Sequence, residues 1–281
     1  MTQAELNELI IRAERGDAQA QCDLGYCYEF GVGVEQDVKL AAKLYAKAAK
    51  QGNAEAQVYL GTLYEDGIGV AQDERKAFAL YKLGAKQGDA FGQWCLAGCY
   101  EDGVGVKQDM RKAVKWYTEA ARQGYPDALD SLGLCYEYGN GVDKDVDKAA
   151  ELYTRAARQG HADAQYHLAN CYADGEGVEQ DYTKAVEWYT KAAEQGHARA
   201  QNNLGWMYQT GEGVAKDSKE AVKWYRSSAE QGDVFGQCNL GVMYQYGEGV
   251  SKNSEEAAKW YRKAVEQGHE RASSLLEQLI G

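Results

Sequence analysis

Residues 197–232 read HARAQNNLGWMYQTGEGVAKDSKEAVKWYRSSAEQG, and the same pattern returns every 36 residues without insertion or deletion. Seven copies follow: 17–52, 53–88, 89–124, 125–160, 161–196, 197–232 and 233–268. Within a copy, tyrosine is fixed at position 12 (Tyr208 in the quoted stretch) and position 29 (Tyr225), and glycine at positions 15, 17 and 36 (Gly211, Gly213, Gly232). Between the glycines lie two segments whose small or apolar residues recur at 4, 8, 11 and 12, then at 25, 29, 32 and 33. That is the spacing of an amphipathic helix, so each copy predicts helix, turn, helix.

The helix ends are written in side-chain chemistry. Position 21 is Asp in six copies and Asn253 in the seventh, an acceptor for the free amides of a first turn. Asp217 with Glu220 and Asn253 with Glu256 have the spacing of a capping box. Gly52 and its equivalents supply the left-handed residue that closes a helix. The single proline, Pro126, falls at the second position of its copy, where a first turn tolerates it. Residues 1–16 then read as a lone second helix with Leu6, Leu9, Ile10 and Ala13 on one side, and 269–281 as a lone first helix with Ala272 and Leu276. These are the expected caps. One helix pair cannot bury its own apolar stripe, so the core must run from copy to copy as a one-dimensional stack.

The run Ala-x-Ala-Gln-x-x-Leu-Gly-x-x-Tyr, then Gly-x-Gly-Val-x-x-Asp, then Lys-Ala-x-x-Trp-Tyr-x-Lys-Ala-Ala-x-Gln-Gly resembles the Sel1-like repeat over residues 17–268, and residues 197–232 match it almost throughout. The resemblance implies an all-α fold: a right-handed α/α superhelical solenoid of seven repeats with terminal capping helices. It also implies an adaptor or scaffold that holds partners on a concave side lined by first helices, with no catalytic residues. The copies depart from the pattern at Ala97 and Ala169 in place of a position-9 glycine, at Gly84 in a second helix, and at Gly92 and Gly236 in place of a position-4 alanine. A helix-interior glycine costs up to about 1 kcal/mol relative to alanine, so these sites mark either close packing or local softness.

Composition limits the partners. Acidic residues outnumber basic ones 43 to 31, for a formal charge of −12, which opposes attraction to phosphate backbones or anionic lipid. Nucleic acid and membrane insertion are not expected; no stretch approaches a spanning length. The N-terminus lacks the basic start, apolar run and small-residue cleavage site of a secretory signal, which points to the cytoplasm. The oligomeric expectation is a monomer.

No cofactor or metal is expected. Gly-x-Gly in mid-copy lacks the preceding strand and third glycine of a dinucleotide site. The seven cysteines are an odd set. Cys27, Cys99, Cys135 and Cys171 share position 11, where other copies carry Leu63, Met207 and Met243, so they read as buried thiols too far apart to bridge. Cys95 and Cys99 share a helix face but lack the further ligands of a metal site. The cysteine-rich, disulfide-stapled Sel1-like proteins pair a first-helix cysteine with one near the end of the second helix, and that second cysteine is missing here. His161, His197 and His269 stand at the first position of a repeat, where Asp17, Asn53, Asp89 and Asp233 stand elsewhere, and a helix-entry role accounts for them.

Because the copies align without gaps, columns that vary can be separated from those that hold the fold. Positions 3, 6, 10 and 13 form one stripe of the first helix, off the core stripe. It carries Phe91 and Phe235 at position 3, Trp94 and Tyr166 at position 6, and Tyr26 and Trp206 at position 10. Exposed aromatics of this kind anchor partners; Trp94 and Trp206 could equally pack between first helices of adjacent copies. Position 13 supplies Glu29, Glu65, Glu101 and Glu137, with Asp66, Asp102 and Asp174 beside the same stripe. Spaced near one Debye length, about 10 Å at 0.1 M salt, such carboxylates form either a lane for a cationic segment or an ordinary solvated face. The expected function is a non-enzymatic scaffold or adaptor that binds a protein or peptide, with a basic, partly apolar segment if the lane is used. The alternative is an immunity protein neutralising a basic toxin or effector. The third reading, an enzyme acting on a peptide or glycan, would require a carboxylate such as Glu101 to be catalytic.

Overall fold

The structure, a computed structural model, describes residues 1–280. Its secondary structure is helical throughout, an all-α solenoid that divides into two units. The first, residues 1–144, holds α1 (Gln3–Glu14), α2 (Ala18–Phe30), α3 (Val38–Lys50), α4 (Ala54–Asp66), α5 (Glu74–Lys86), α6 (Ala90–Asp102), α7 (Met110–Arg122) and α8 (Pro126–Tyr138). The second begins at residue 145. It holds α9 (Val146–Arg158), α10 (Ala162–Asp174), α11 (Tyr182–Glu194), α12 (Ala198–Thr210), α13 (Ser218–Glu230), α14 (Val234–Tyr246), α15 (Ser254–Glu266) and α16 (Glu270–Ile280). Within each unit every helix packs on the next in sequence, and α4 also touches α6, as α12 touches α14.

The caps follow the chemistry of the sequence. Asp17, Asn53, Asp89 and Asp233 accept from the amide three residues on, and at α10, α12 and α16 the Nδ1 atoms of His161, His197 and His269 do the same at 3.0–3.2 Å. Asp217 and Asn253 cap α13 and α15. The reciprocal half of the expected boxes is replaced: Glu220 pairs with Lys223 and Glu256 with Lys259 instead of reaching back. A complete capping box stands at α1, where Thr2 accepts from Glu5 N–H and the Glu5 carboxylate accepts from Thr2 N–H.

Two glycine columns have different causes. Gly52 and its equivalents have a φ near +90° with nothing within 4 Å of the missing Cβ, so only backbone conformation selects them. Gly69, Gly105 and Gly141 in the first unit, and Gly177, Gly213 and Gly249 in the second, are also left-handed, and a Cβ there would strike the backbone carbonyl of Val38, Glu74, Met110, Val146, Tyr182 or Ser218. The mid-repeat turn thus seats directly on the first turn of the preceding copy's second helix.

The core is built from alanines and tyrosines. Tyr45, Tyr81, Tyr153, Tyr225 and Tyr261, all at position 29, are completely buried. At position 9, a Cβ on Gly25, Gly61, Gly205 or Gly241 would come within 2.5–2.8 Å of the tyrosine ring of its own copy. A second column, position 5, buries an amide: Gln21, Gln57, Gln93, Gln165, Gln201 and Gln237 are 4–6% exposed. Each donates to a backbone carbonyl eight residues earlier, at the end of the preceding second helix (Gln21 to Ala13, Gln201 to Ala193, both 3.0 Å), and accepts from the glutamine 30 residues on (Gln51 to Gln21 2.9 Å, Gln231 to Gln201 2.7 Å). A buried amide must be satisfied to be tolerated, and here it ties three helix ends together. Copy four has Leu129 in this column, fully buried.

The departures from pattern resolve as close packing. Val58 fills the space opened by Gly84 and Gly92, its Cγ2 lying where a Cβ on either would be. Gly236 faces Ser228 in the same way, Ser228 standing where other copies carry Ala or Gly84.

Candidate functional site

In the first unit the first helices bring six rings into one track. Tyr26 and Phe30 are 43% and 57% exposed and lie 4.6 Å apart by ring centroid. From Tyr26 the contacts run to Tyr59 at 6.2 Å, from Tyr59 to Phe91 at 6.4 Å, from Phe91 to Trp94 at 6.0 Å, nearly stacked at 20°, and from Trp94 to Tyr125 at 6.1 Å. These separations suit offset or tilted aromatic pairs. Trp94 is half-buried, and its indole N–H donates to Ser131 Oγ of the next copy at 3.2 Å, so it packs between copies while remaining partly exposed.

Phe30, Tyr59 and Tyr125 were not visible as site residues in the sequence. The track passes through positions 14, 10, 7, 3, 6 and 1 in turn, so no single column contains it. The available signal was the accumulation of rings on adjacent first helices. Position 6, expected to be surface, is mostly interior: Cys22, Val58, Asp130 and Cys238 are 1–7% exposed.

The carboxylates of position 13 belong partly to the frame. The buried hydroxyls of Tyr45, Tyr81 and Tyr117 donate to Glu29, Glu65 and Glu101 at 2.6, 2.6 and 2.5 Å. In the second unit Tyr225 and Tyr261 donate to Gln209 and Gln245 at 2.7 and 2.6 Å. Tyr189, whose copy has Ala173 in that column, donates to Asn170 at 2.6 Å instead. Burial, followed by the bonded carboxylate, pushes the Tyr45 and Tyr117 phenols far above their ordinary range. Burial also raises the Glu29 carboxyl, opposed by the Tyr45 bond. Glu137 is half-buried on α8, while Asp66 and Asp102 are exposed at the ends of α4 and α6.

Two cavities of the first unit open beside these rings and carboxylates. One of about 360 Å³ is lined by Cys22, Asp23, Tyr26, Glu55 and Tyr59. Another of about 230 Å³ lies between α4 and α6, against Trp94, Gly98, Glu65 and Asp102. All seven cysteines are free thiols. Cys99 and Cys135 are pushed up to about 12, first by burial and then by Glu65 and Glu101 respectively. They stay protonated near neutrality and lack the thiolate that nucleophilic chemistry needs.

The second unit presents a different surface. Trp206 and Phe235 are 43% and 54% exposed, Phe235 meeting the ring of His269 edge-on at 5.4 Å. Tyr166 is stacked on His197 at 4.6 Å and does not stand free. Around them is an amide network in which Asn239 donates to Asn202 and Asn202 to Asn203. The expected site residues therefore fall into two groups: Tyr26, Phe91, Trp94 and the acidic residues in the first unit, and Tyr166, Trp206 and Phe235 in the second. No helix among the described residues is long and apolar enough to cross a membrane.

Comparison with solved structures gives the fold strong relatives. The chain is 39% identical to a protective antigen present in uropathogenic Escherichia coli strains that displays an SLR fold, with a TM-score of 0.81 over 96% of this chain and 58% of that one. It is 34% identical to a Sel1 repeat protein from Oxalobacter formigenes, with a TM-score of 0.76 over 96% of this chain and 78% of that one. An immunity protein from Pseudomonas aeruginosa is 25% identical over 75% of this chain and 81% of its own, with a TM-score of 0.51. Among curated proteins no sequence matches. The Sel1 repeat model matches seven times, at 18–53, 54–89, 90–125, 126–161, 162–197, 198–233 and 234–269. With its repeats matched in register over nearly its whole length, the chain belongs to the Sel1 repeat family.

Proposed function

We propose that the protein is a non-catalytic scaffold or adaptor that holds a segment of a partner protein along its first-helix face. The observation that carries this reading is the aromatic track from Phe30 to Tyr125, a partly exposed strip of rings rimmed by carboxylates. Solvent-exposed aromatic clusters favour association. The acidic rim and the net charge of −12 favour a partner segment that is basic and partly apolar, and oppose attraction to nucleic acid. The chain acts as a monomer in the cytoplasm on this reading, and Glu101 serves the fold through Tyr117 rather than catalysis.

The test is capture of an interacting protein by the wild-type chain and by variants Tyr26→Ala with Phe91→Ala, and separately Trp206→Ala, each checked for unchanged helical content. Loss of capture in the first variant, with affinity that falls as salt rises, supports the reading. Undiminished capture by both variants at all salt concentrations refutes it.

A second reading draws on the Pseudomonas aeruginosa immunity proteins, two of which are 25% identical to this chain over about three quarters of its length. On that reading the partner is a basic toxin or effector enzyme, covered by the acidic surface. Loss of a toxin's activity at one-to-one stoichiometry is the result that would favour it over a scaffold.

A further inference from the structure

Position 10 carries a side chain in every copy except the third: Tyr26, Thr62, Leu134, Asn170, Trp206 and Val242 against Gly98. Where that side chain is missing the surface opens into the cavity of about 230 Å³ between α4 and α6. This is below the roughly 300–1,000 Å³ of a typical small-molecule site and is scaled to one side chain. Its walls are the indole of Trp94, the ring of Tyr117, the carboxylates of Glu65 and Asp102, and the thiol of Cys95.

The electrostatics of those walls are one-sided. No Lys or Arg lines the cavity, and neither Glu65 nor Asp102 has an ion-pair partner among the described residues. The one phenolic proton present is committed, Tyr117 donating to Glu101 at 2.5 Å. Glu65 accepts from Tyr81 through Oε2, which fixes the carboxylate and leaves its other oxygen available. Cys95 and Cys99 are held neutral by burial and by the field of Glu65. An indole beside two carboxylates on a shelf without cations matches a planar cation, which can stack on the ring and fork its N–H donors to oxygen. A compact ammonium would use the charges but not the shape.

We propose that the cavity between α4 and α6 is a recognition pocket for an arginine side chain of the partner, seated between Trp94 and the carboxylates of Glu65 and Asp102. This rests on the first-helix face being the partner surface, and it makes the third copy the point that fixes the partner's register. A Cβ on Gly98 would have only the Tyr117 hydroxyl nearby, at 3.9 Å, so Gly98→Leu fills the pocket with the residue that copy four carries at Leu134 and leaves Tyr26 and Phe91 untouched.

The test uses blocked arginine (N-acetyl-arginine methylamide) as the probe, at low ionic strength, followed by the NMR signal of the Trp94 indole N–H. The expected result is a saturable shift with a half-point on the order of millimolar, the range of one side chain's worth of contacts. Blocked citrulline, which has the same shape without charge, gives none. Gly98→Leu abolishes the response, and Glu65→Gln with Asp102→Asn weakens it roughly tenfold. The proposal is overturned by equal responses to arginine and citrulline, by the absence of a saturable shift, or by a Gly98→Leu variant of native helical content that still responds. Partner capture that depends on Tyr26 and Phe91 but is indifferent to Gly98→Leu would sink the arginine pocket alone. The partner reading above would stand.

Discussion

Gly236 lies against Ser228 so closely that a Cβ at 236 would overlap the serine side chain. Ser228 is itself completely buried, and its hydroxyl has no hydrogen-bond partner among the described residues. The pair is a local exchange of volume: a serine oxygen occupies the room that alanine takes at position 4 in most other copies. Gly236→Ala should therefore destabilise by about 1–3 kcal/mol through overpacking. Ser228→Ala should stabilise, because an unpaired buried hydroxyl costs about 1–3 kcal/mol. In the Ser228→Ala background the cost of Gly236→Ala should shrink, because the Oγ contact is gone and only the Cβ of residue 228 and the Ala229 nitrogen remain close, as in the copies that carry alanine at both positions. Denaturation of the four proteins closes the cycle, and simple additivity would refute the coupling.

The tyrosine hydroxyls predict a graded series. Tyr81→Phe leaves the Glu65 carboxylate without its donor, and hydrogen bonds to charged groups contribute about 1.5–3 kcal/mol. Tyr225→Phe removes a bond to the neutral amide of Gln209, where about 0.5–1.5 kcal/mol is at stake. Chemical denaturation should rank Tyr81→Phe as the more damaging change at neutral pH.

His197 makes the start of α12 sensitive to acid. Its Nδ1 accepts from Ala200 N–H at 3.0 Å and its Nε2 lies 3.2 Å from Asp163, an arrangement available only to the neutral ring with its proton on Nε2. Burial lowers its pKa from the usual 6.5; Asp163 opposes that shift, and His167 and Arg199 add to it. A depressed value means that the unfolded chain binds the proton more readily, so stability is intact above about 6.5 and is lost as pH falls through and below it. Hydrogen exchange at the Ala200 amide should accelerate between pH 7.5 and 5.5 beyond the change in intrinsic rate. His197→Asn, which caps as Asn53 does at α4, should abolish that excess.

The two left-handed glycine columns separate strain from clash. Gly52→Ala should cost about 1–2 kcal/mol, the price of a left-handed alanine alone, since nothing lies within 4 Å of the missing Cβ. Gly177→Ala adds a collision with the carbonyl of Val146 and should cost distinctly more. Asparagine, which tolerates the left-handed region, should be accepted at 52 and rejected at 177, as read from thermal midpoints.

The repeating frame was legible because a single physical demand recurs seven times: the glycines, the capping aspartates and the tyrosine column announce themselves in the sequence. What the tyrosines bond to was not legible. Glu29, Glu65 and Glu101 looked like a surface lane, and only packing places a buried hydroxyl on each. The capping boxes failed for a related reason: Glu220 and Glu256 have lysines three residues on, and an exposed ion pair competes with the reach back to the cap. Tyr59 and Tyr125 escaped notice because proximity across copies joins different columns, whereas comparison of copies sees one column at a time. The closeness of Gly84 and Gly92 was foreseeable as an oddity, but the Val58 methyl that explains it sits in another helix.

The buried glutamines carry a consequence for how such a chain can lengthen or shorten. Each amide bonds a carbonyl eight residues back in the preceding copy, and that carbonyl belongs to a column, not to an individual. Excise residues 161–196 whole and Gln201 meets Ala157 where it had met Ala193, with every donor still supplied. Excise 197–232 instead and Gly236 loses the serine it was shaped around, facing Ala192 across a void. The glutamines make the copies interchangeable like links, and the Ser228–Gly236 couplet marks one junction that has ceased to be so, a place where lineage has overwritten the template.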